Sequence, residues 1–399
     1  MNPKLNRLHP YPFEKLAHLK SQVSENTSKP HIALSIGEPK HEPPAFVIDA
    51  LAKNLSRVAN YAATKGLPEL RAAISKWACK RFNLNDLSAD TQILPVNGTR
   101  EGLFAITQTL ATPNTSVLMP NPFYQIYEGA ALLAGAEPVF LNCDSSTQFA
   151  PDFDNVTDDQ WQACSLLFLC SPGNPTGTVM PSETLQKLIR LADKHNFVIA
   201  SDECYSELYF DEQKPPVGLL QACAEMGRHD YKRCLVFHSL SKRSNLPGLR
   251  SGFVAGDASL IAPFLLYRTY HGCAMPIQTQ IASIEAWSDE QHVYQNRELY
   301  RKKFANVLAI LGDCLDVTMP DASFYLWPKT PMNDETFAKL LFAEENVTVL
   351  PGSYLARESE GSNPGRDHVR MALVAPLDEC EEAARRIRAF VTRHSNQNS

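Results

Sequence analysis

The amino-acid sequence predicts an α/β fold, with an open, mostly parallel central sheet, flanking helices and a smaller α+β unit. Three observations carry this expectation. Leu166-Leu167-Phe168-Leu169-Cys170, Phe197-Val198-Ile199-Ala200 and Cys234-Leu235-Val236-Phe237 are apolar along their whole length, as strands buried on both faces are. Helical patterns alternate with such runs, and strand–helix–strand alternation means parallel pairing with right-handed crossovers. Each run then ends abruptly in polar residues: Asn174-Pro175-Thr176-Gly177, Ser201-Asp202-Glu203-Cys204-Tyr205, and Ser239-Leu240-Ser241-Lys242-Arg243-Ser244-Asn245 with Pro247-Gly248-Leu249-Arg250. Ligands of open α/β sheets bind outside the carboxyl ends of the strands. The three ends therefore offer one crevice an amide, an acid with a phenol three residues on, and an amine.

The elements follow in chain order. Residues 1–30 read as a proline-containing strap, with a polar connection from Ser21 to Pro30. Ile32 to Ile36 reads as a short strand broken at Gly37-Glu38-Pro39, and Phe46 to Ala59 and Leu67 to Phe82 read as helices. Thr91 to Val96 is a strand leading through Asn97-Gly98-Thr99-Arg100 into a helix whose Leu103, Ile106, Thr107 and Leu110 share a face. Val117-Leu118-Met119, closed by Pro120-Asn121-Pro122-Phe123-Tyr124, and Pro138 to Leu141 are further strands. Ser182 to His195 is an amphipathic helix with Ser182 as N-cap and Leu185, Leu188, Ile189 and Ala192 inward. Gly252 to Gly256 is a strand; Pro276 to Trp287 and His292 to Leu315 are helices. Strands are expected at Val317-Thr318, Ser323–Trp327, Val347–Leu350 and Val369–Leu373. A closing helix from Asp378 to Arg393 carries Glu381 in a capping box, and His394 to Ser399 is a polar tail. The change of character divides the chain into a large domain, 46–288, and a small one made of 1–45 and 289–399.

Composition narrows the class. Hydrophobic residues at 44% and charged residues at 21% of 399 are those of a soluble globular protein. A formal net charge of -6 argues against nucleic-acid or anionic-membrane partners. The ten cysteines show neither a C-x-x-C pair nor a zinc-ligand spacing, so they read as reduced and mostly core. No signal peptide or membrane span is visible, and the expected location is the cytoplasm.

Lys242 is the residue around which the chemistry gathers. A strand ending in hydroxyls and cations suits an anion such as phosphate, and a buried lysine beside other cations becomes an amine nucleophile. Taken alone, S-L-S-K-R reads equally as a solvated basic loop. Arg243 next to it stays protonated and cannot serve as the nucleophile. The glycine turn at Gly98, Thr99 and Arg100 presents free N–H groups and the positive end of a helix dipole, which also attract phosphate.

The order N-P-T-G, then D-x-x-Y, then S-x-S-K with an arginine eight residues on, resembles the class I/II aminotransferases, pyridoxal-phosphate enzymes of fold type I. The resemblance runs from Ser35 to Arg370. It implies that Lys242 forms the imine with pyridoxal phosphate and shuttles the substrate proton. Asp202 would then pair with the pyridine nitrogen, and Asn174 and Tyr205 would bond the phenolic oxygen. Ser239, Ser241 and Arg250 would hold the phosphate with the amides of Gly98, Thr99 and Arg100, while Tyr124 stacks on the ring. Tyr61 would reach across a homodimer to the partner's cofactor phosphate. Gly37 would approach the substrate's α-carboxylate, which Arg370 in His368-Val369-Arg370-Met371-Ala372 would bind.

Three functions remain open on these residues: an aminotransferase, a C–S lyase sharing every cofactor residue, and a transcriptional regulator built on the same domain. The third requires a DNA-binding helix-turn-helix ahead of the domain, and the strap does not read as one. More narrowly, Met1-Asn2-Pro3 with Pro10 to Leu16, and Ser239 to Asn245 with Pro247 to Gly252, resemble the bacterial branch acting on N-succinyl-diaminopimelate in lysine biosynthesis. Acetylornithine- and aspartate-type substrates stay open. Arg100 is the candidate for a distal substrate carboxylate.

Overall fold

The structure, a computed structural model, describes residues 1–395. The chain begins with a 3-10 turn at Pro3–Arg7, a helix α1 (Pro12–Ser21), a two-residue strand β1 (Ile32–Ala33), and helices α2 (Ala45–Lys53) and α3 (Pro68–Phe82). Next come β2 (Ile93–Val96), α4 (Thr99–Leu110), β3 (Ser116–Asn121), α5 (Ile126–Ala134), β4 (Glu137–Asn142) and α6 (Asp158–Ala163). They lead to β5 (Cys164–Cys170), α7 (Ser182–His195), β6 (Val198–Asp202), α8 (Leu219–Glu225), β7 (Cys234–Ser239), α9 (Leu240–Arg243) and β8 (Gly252–Gly256). The remainder is α10 (Ala258–His271), α11 (Ile277–Ser288), α12 (Gln291–Leu311), β9 (Tyr325–Leu326), α13 (Asp334–Glu345), β10 (Val347–Thr348), β11 (Leu350–Pro351), β12 (Val369–Ala372) and α14 (Leu377–Ser395).

The fold is the expected α/β type. Seven strands form the central sheet in the order β2-β8-β7-β6-β5-β3-β4, and every neighbouring pair is parallel except the two that involve β8. The exception has a local cause. Only twelve residues separate β7 from β8, with a four-residue helix among them, and a parallel return needs a longer crossover. Side chains alternate across the sheet: Leu167, Leu169, Ile199 and Val236 pack with α3, α7, α8 and α11 on one face. Leu166, Phe168, Val198, Leu235 and Phe237 pack with α4, α5 and α10 on the other. Burial on both sides is what the uninterrupted apolar runs demanded.

A separate core gathers β1, α12, α13, α14 and the short strands β9, β10 and β12, while Leu350 of β11 packs with Leu16, Trp327, Tyr354 and Leu355. There β1 pairs with β10, while β11, β12 and β9 make a three-stranded antiparallel sheet. Val349 carries the chain from one small sheet to the other, so the expected strand Val347–Leu350 is two strands. Met371 pairs with Leu326 and Leu350 with Arg370, which turns the Arg370 side of the sheet toward the ends of the large sheet.

Several boundaries differ from expectation. The strap contains α1, with Pro12 at its first turn, Glu14 near its N-terminus and His18 and Lys20 near its C-terminus, all favourable to the dipole. Ten residues were too few to show a period. Ser182 is the first helical residue rather than the N-cap, and its hydroxyl donates to Glu225; Pro181 holds the cap position. The helix expected to reach Ala59 stops at Lys53 and continues as a 3-10 turn, and α12 stops at Leu311, where Gly312 takes a positive φ of 54°. Val317-Thr318 forms no strand; only the bridge Asp316 to Lys329 is present nearby. Glu381 accepts from Asn306 at 2.8 Å and pairs with Arg385, with no capping box. The C-terminal helix extends to Ser395, and residues 396–399 of the expected tail lie outside the described residues. All ten cysteines are free, seven of them buried.

Leu188 tests the packing of α7, since it is fully buried against the sheet. Leu188→Ala should cost about 2–5 kcal/mol of stability through lost burial and the cavity left behind. Urea titration reads it as a lower midpoint at unchanged slope; a loss below about 0.5 kcal/mol would mean α7 does not hold the core.

Candidate active site

Three strand ends, β5, β6 and β7, open onto one cavity of about 550 Å³. At the end of β7 the Ser239 hydroxyl accepts from the Ser241 N–H at 3.0 Å and caps the single turn α9. That turn points Lys242 into the cavity, where its Nζ donates to the Gly37 carbonyl at 2.6 Å. Burial, with Arg370 and Arg250 nearby, pushes its amine down to about 8 from 10.5. Arg243 points the other way. It lies between Trp77 and Trp287, donates to the Ala286 carbonyl at 2.7 Å and pairs with Glu290.

Asp202 ends β6 fully inside the protein. Its Oδ2 accepts from the Tyr127 hydroxyl at 2.8 Å and its Oδ1 from the Cys204 N–H at 3.3 Å. Among the described residues no lysine or arginine pairs with it, and burial pushes its carboxyl up. Tyr205 contacts the Tyr325 hydroxyl at 3.1 Å. At the end of β5, Asn174 Oδ1 accepts from Arg370 Nη1 at 3.0 Å, and the Ser35 carbonyl accepts from Nη2 at 2.8 Å. Arg370 lies 4.4 Å from the Tyr325 ring centroid, and its Nε is buried without a protein partner.

The turn before α4 supplies the opposite wall. Gly98 has a φ of 77°, and a Cβ there would lie 2.2 Å from Arg250 Nη2. A glycine is what lets that guanidinium lie over the helix start. Thr99 and Arg100 open α4, whose first N–H groups have no intrahelical acceptor. Arg250 itself donates to the Pro247 carbonyl at 2.9 Å and stays exposed, with no acid partner among the described residues. Tyr124 lines the cavity, and its hydroxyl accepts from Arg100 Nε at 2.5 Å. Arg100 is exposed at the mouth.

The cavity thus collects Gly37, Thr99, Arg100, Tyr124, Asn174, Asp202, Tyr205, Ser239, Ser241, Lys242, Arg250 and Arg370. Gly98 stands one residue behind its lining. Tyr61 is fully exposed and does not line the cavity of its own chain. Sequence reasoning missed Tyr325, which fills the space beside Gly37 so closely that a Cβ there would meet its hydroxyl at 1.9 Å. It also missed Tyr127 under Asp202, and Tyr11 and Phe13 of the strap at the mouth. Only the proximity of Tyr127 to the Phe123-Tyr124 turn hinted at the second of these.

A desolvated lysine, a buried acid without a cation, arginines whose only partners are neutral among the described residues, and a helix start facing one cleft suit an enzyme that handles a phosphate-bearing cofactor and a carboxylate substrate. The chain belongs to the family Aminotransferase class I and II, which it matches over residues 29–387. It is 31% identical to the LL-diaminopimelate aminotransferase of Maridesulfovibrio salexigens, over 96% of this chain and 97% of that one. An aminotransferase from Neisseria meningitidis matches with a TM-score of 0.94 at 49% identity, covering 98% of this chain and 100% of that chain. A probable N-succinyldiaminopimelate aminotransferase from Thermus thermophilus matches with a TM-score of 0.85 at 26% identity, over 95% and 99%. The family binds pyridoxal phosphate, and the residues here fit it: Asp202 lacks a cation, and Arg250 and the α4 start lack an anion. Among the described residues no helix is long and apolar enough to cross a membrane.

The depressed Lys242 gives a stability signature. Its folded pKa of about 8 lies below 10.5, so between these values the unfolded chain holds more protons and stability rises with pH. The cost of burying the ammonium is therefore fully present below about pH 8 and gone above 10.5. Without cofactor, Lys242→Ala should be more stable than the parent at pH 7, and the gap should close by pH 10.5. Urea midpoints across that range check it; a gap independent of pH would mean Lys242 is not buried as a base.

Proposed function

We propose that this aminotransferase acts on N-succinyl-LL-2,6-diaminopimelate with 2-oxoglutarate as amino acceptor, in lysine biosynthesis. The single observation behind the substrate is Arg100. It lines the same cavity as Arg370, and no carboxylate pairs with it among the described residues. An α-carboxylate on Arg370 and a distal carboxylate on Arg100 suit a substrate acidic at both ends. The names of relatives acting on diaminopimelate support the same class of substrate. Unsubstituted LL-diaminopimelate is the second reading, favoured by the curated relatives at about 30% identity.

Pyridoxal phosphate, when bound, supplies the electron sink for negative charge on the substrate's Cα. The roles of the chain's residues follow from their chemistry. Lys242 anchors the cofactor and, once freed, moves the proton at the substrate's Cα, for which an amine near neutrality is suited. Asp202 holds a proton on the pyridine nitrogen, a cation that would offset its own desolvation. Asn174 and Tyr205 donate to the phenolic oxygen. Ser239, Ser241, Arg250 and the amides of Gly98, Thr99 and Arg100 hold the phosphate, with Tyr124 against the ring. Gly37, whose missing Cβ lets Tyr325 pack beside it, lines the substrate's side of the cavity, and the substrate's α-carboxylate takes the fork of Arg370. Residues 46–288 would form the cofactor domain, and 1–45 with 289–399 the smaller one. The exposed Tyr61 suits a homodimer in which it completes the partner's site.

Arg100→Ala should lower kcat/KM for the succinylated substrate about tenfold, roughly 1–2 kcal/mol, because an exposed cation is partly screened. It should leave alanine almost unchanged. An equal loss on both would assign Arg100 to the cofactor instead. Asp202→Asn should still bind cofactor while transamination falls by orders of magnitude, since an amide cannot hold the ring nitrogen's proton. Adding glutamate to the loaded wild type and following the visible band separates transaminase from C–S lyase: only a transaminase bleaches it, and a band unchanged by glutamate, with sulfide released from a thiol amino acid, would favour the lyase.

A further inference from the structure

The main chain of Lys242 is held from outside the cavity by a buried polar chain that the reaction itself does not use. Asn296, on α12 and almost fully buried, donates through Nδ2 to the carbonyls of Lys242 at 3.3 Å and Arg243 at 3.4 Å. Its Oδ1 meets His41 Nδ1 at 2.8 Å and accepts from Asn245 Nδ2 at 3.0 Å. His41 Nε2 in turn meets Lys303 Nζ at 2.6 Å. Lys303 is buried, donates also to the Val374 carbonyl at 3.3 Å, and has no carboxylate partner among the described residues.

The directions of these bonds are fixed by one another. Burial pushes the Lys303 amine down to about 8, so near neutral pH it is an ammonium that only donates; His41 Nε2 is then an acceptor and the ring proton sits on Nδ1. Nδ1–H then donates to Asn296 Oδ1, which leaves the Asn296 NH₂ to serve the carbonyl of Lys242. The neutral ring this requires is consistent with burial and the Lys303 charge, which push His41 down to about 4. The same segment that carries His41 also carries Gly37, whose carbonyl takes the Lys242 ammonium at the other end of the side chain. Residues 37–41 therefore grip this lysine at both ends.

We infer that Lys303, His41 and Asn296 form a one-directional hydrogen-bond relay that positions Lys242, with His41 as the positioning residue on which the polarity turns. The inference rests on Lys242 being the lysine that carries the cofactor. Without the relay, the Lys242 side of α9 loses the Asn296 anchor while Arg243 still holds the far side, and the turn can tilt so that Nζ reaches wetter surroundings where its amine is more basic.

The test uses His41→Phe, which keeps a ring against Tyr300 but neither accepts nor donates, and His41→Gln, whose amide can accept from Lys303 and donate to Asn296. Two readouts are followed in the full-length protein. The first is steady-state kcat and KM. The second is the pH midpoint for the rate at which the apoenzyme takes up pyridoxal phosphate, which reports the Lys242 amine. His41→Phe should lose about tenfold in kcat with KM changed less than about twofold. Its midpoint should rise by about half a unit or more as the amine is resolvated. His41→Gln should restore most of both. An unchanged midpoint and kcat in folded His41→Phe, or a His41→Gln no better than His41→Phe, would overturn the relay. Should His41→Phe not fold, Lys303→Met carries the same test: it fills the space and donates nothing, so the same rise is expected and its absence is fatal. Lys242→Ala separates the two levels, because uptake with a normal visible band there would remove the site assignment itself, whatever His41 does.

Discussion

The contact between the Lys242 amine and the Gly37 carbonyl is the constraint on which the arrangement turns. It can form only if the chain after β1 lies across the mouth of the large sheet. Three further bonds secure that course: Ile32 and Leu34 donate to the carbonyls beside β10, and the Ala372 N–H donates to the Leu34 carbonyl at 2.6 Å. The adjacent Ser35 carbonyl then accepts from Arg370. One extended segment therefore presents the carbonyls of Ser35 and Gly37 to Arg370 and to Lys242. The small sheets are joined to the chemistry through main-chain groups, which tolerate no substitution of their own but depend on Gly37 having no Cβ.

The cavity is assembled from groups that each lack a partner of opposite charge. Among the described residues Asp202 is buried with only neutral donors, Arg370 keeps Nε unbonded, and Arg250 and Arg100 pair with no acid. Elsewhere several buried arginines are closely paired: Arg268 with Glu101, Arg81 with Glu207, Arg357 with Glu128. Burial of an uncompensated charge is costly, and it survives only where a large well-packed core can offset it. The apolar runs of β5, β6 and β7, sandwiched by helices on both faces, are that core; Asp202 stands directly at the end of β6, while Arg100 and Arg250 keep contact with solvent.

The large sheet and the polar groups at its strand ends were legible because each is encoded locally, whereas Arg250 and Arg370 were reached only through the resemblance. An apolar run followed by a polar break shows both a buried strand and what stands at its end, so Asp202, Lys242 and Asn174 could be named before their distances were known. The rest depends on tertiary contact. Tyr325 sits in a run, Ser323 to Trp327, that reads only as a strand, and nothing local says its hydroxyl will meet Tyr205 and fill the space at Gly37. α1 is held by Leu16 and Leu19, which pack into two different clusters, so no single amphipathic face marks it. The strands β9 to β12 are two to four residues long, below the length at which a period of two can be read.

Lys242 and Arg243 show how one turn of helix separates reactivity from support. Successive residues in a helix are rotated by about 100°, so two adjacent cations on α9 face different surroundings. Lys242 meets a cavity, a carbonyl and the ring of Phe324 at 5.2 Å, and its ammonium is destabilised. Arg243 meets two indole faces, two main-chain carbonyls and Glu290, a setting that a planar, always-charged fork can satisfy and an ammonium cannot. The arginine is therefore part of how the lysine works: its bonds to the end of α11 fix the far side of α9, while Asn296 fixes its carbonyls. Exchanging the two residue types would place a permanently charged group in the cavity and a poorly held ammonium in the aromatic slot, and both sites would fail for the same electrostatic reason.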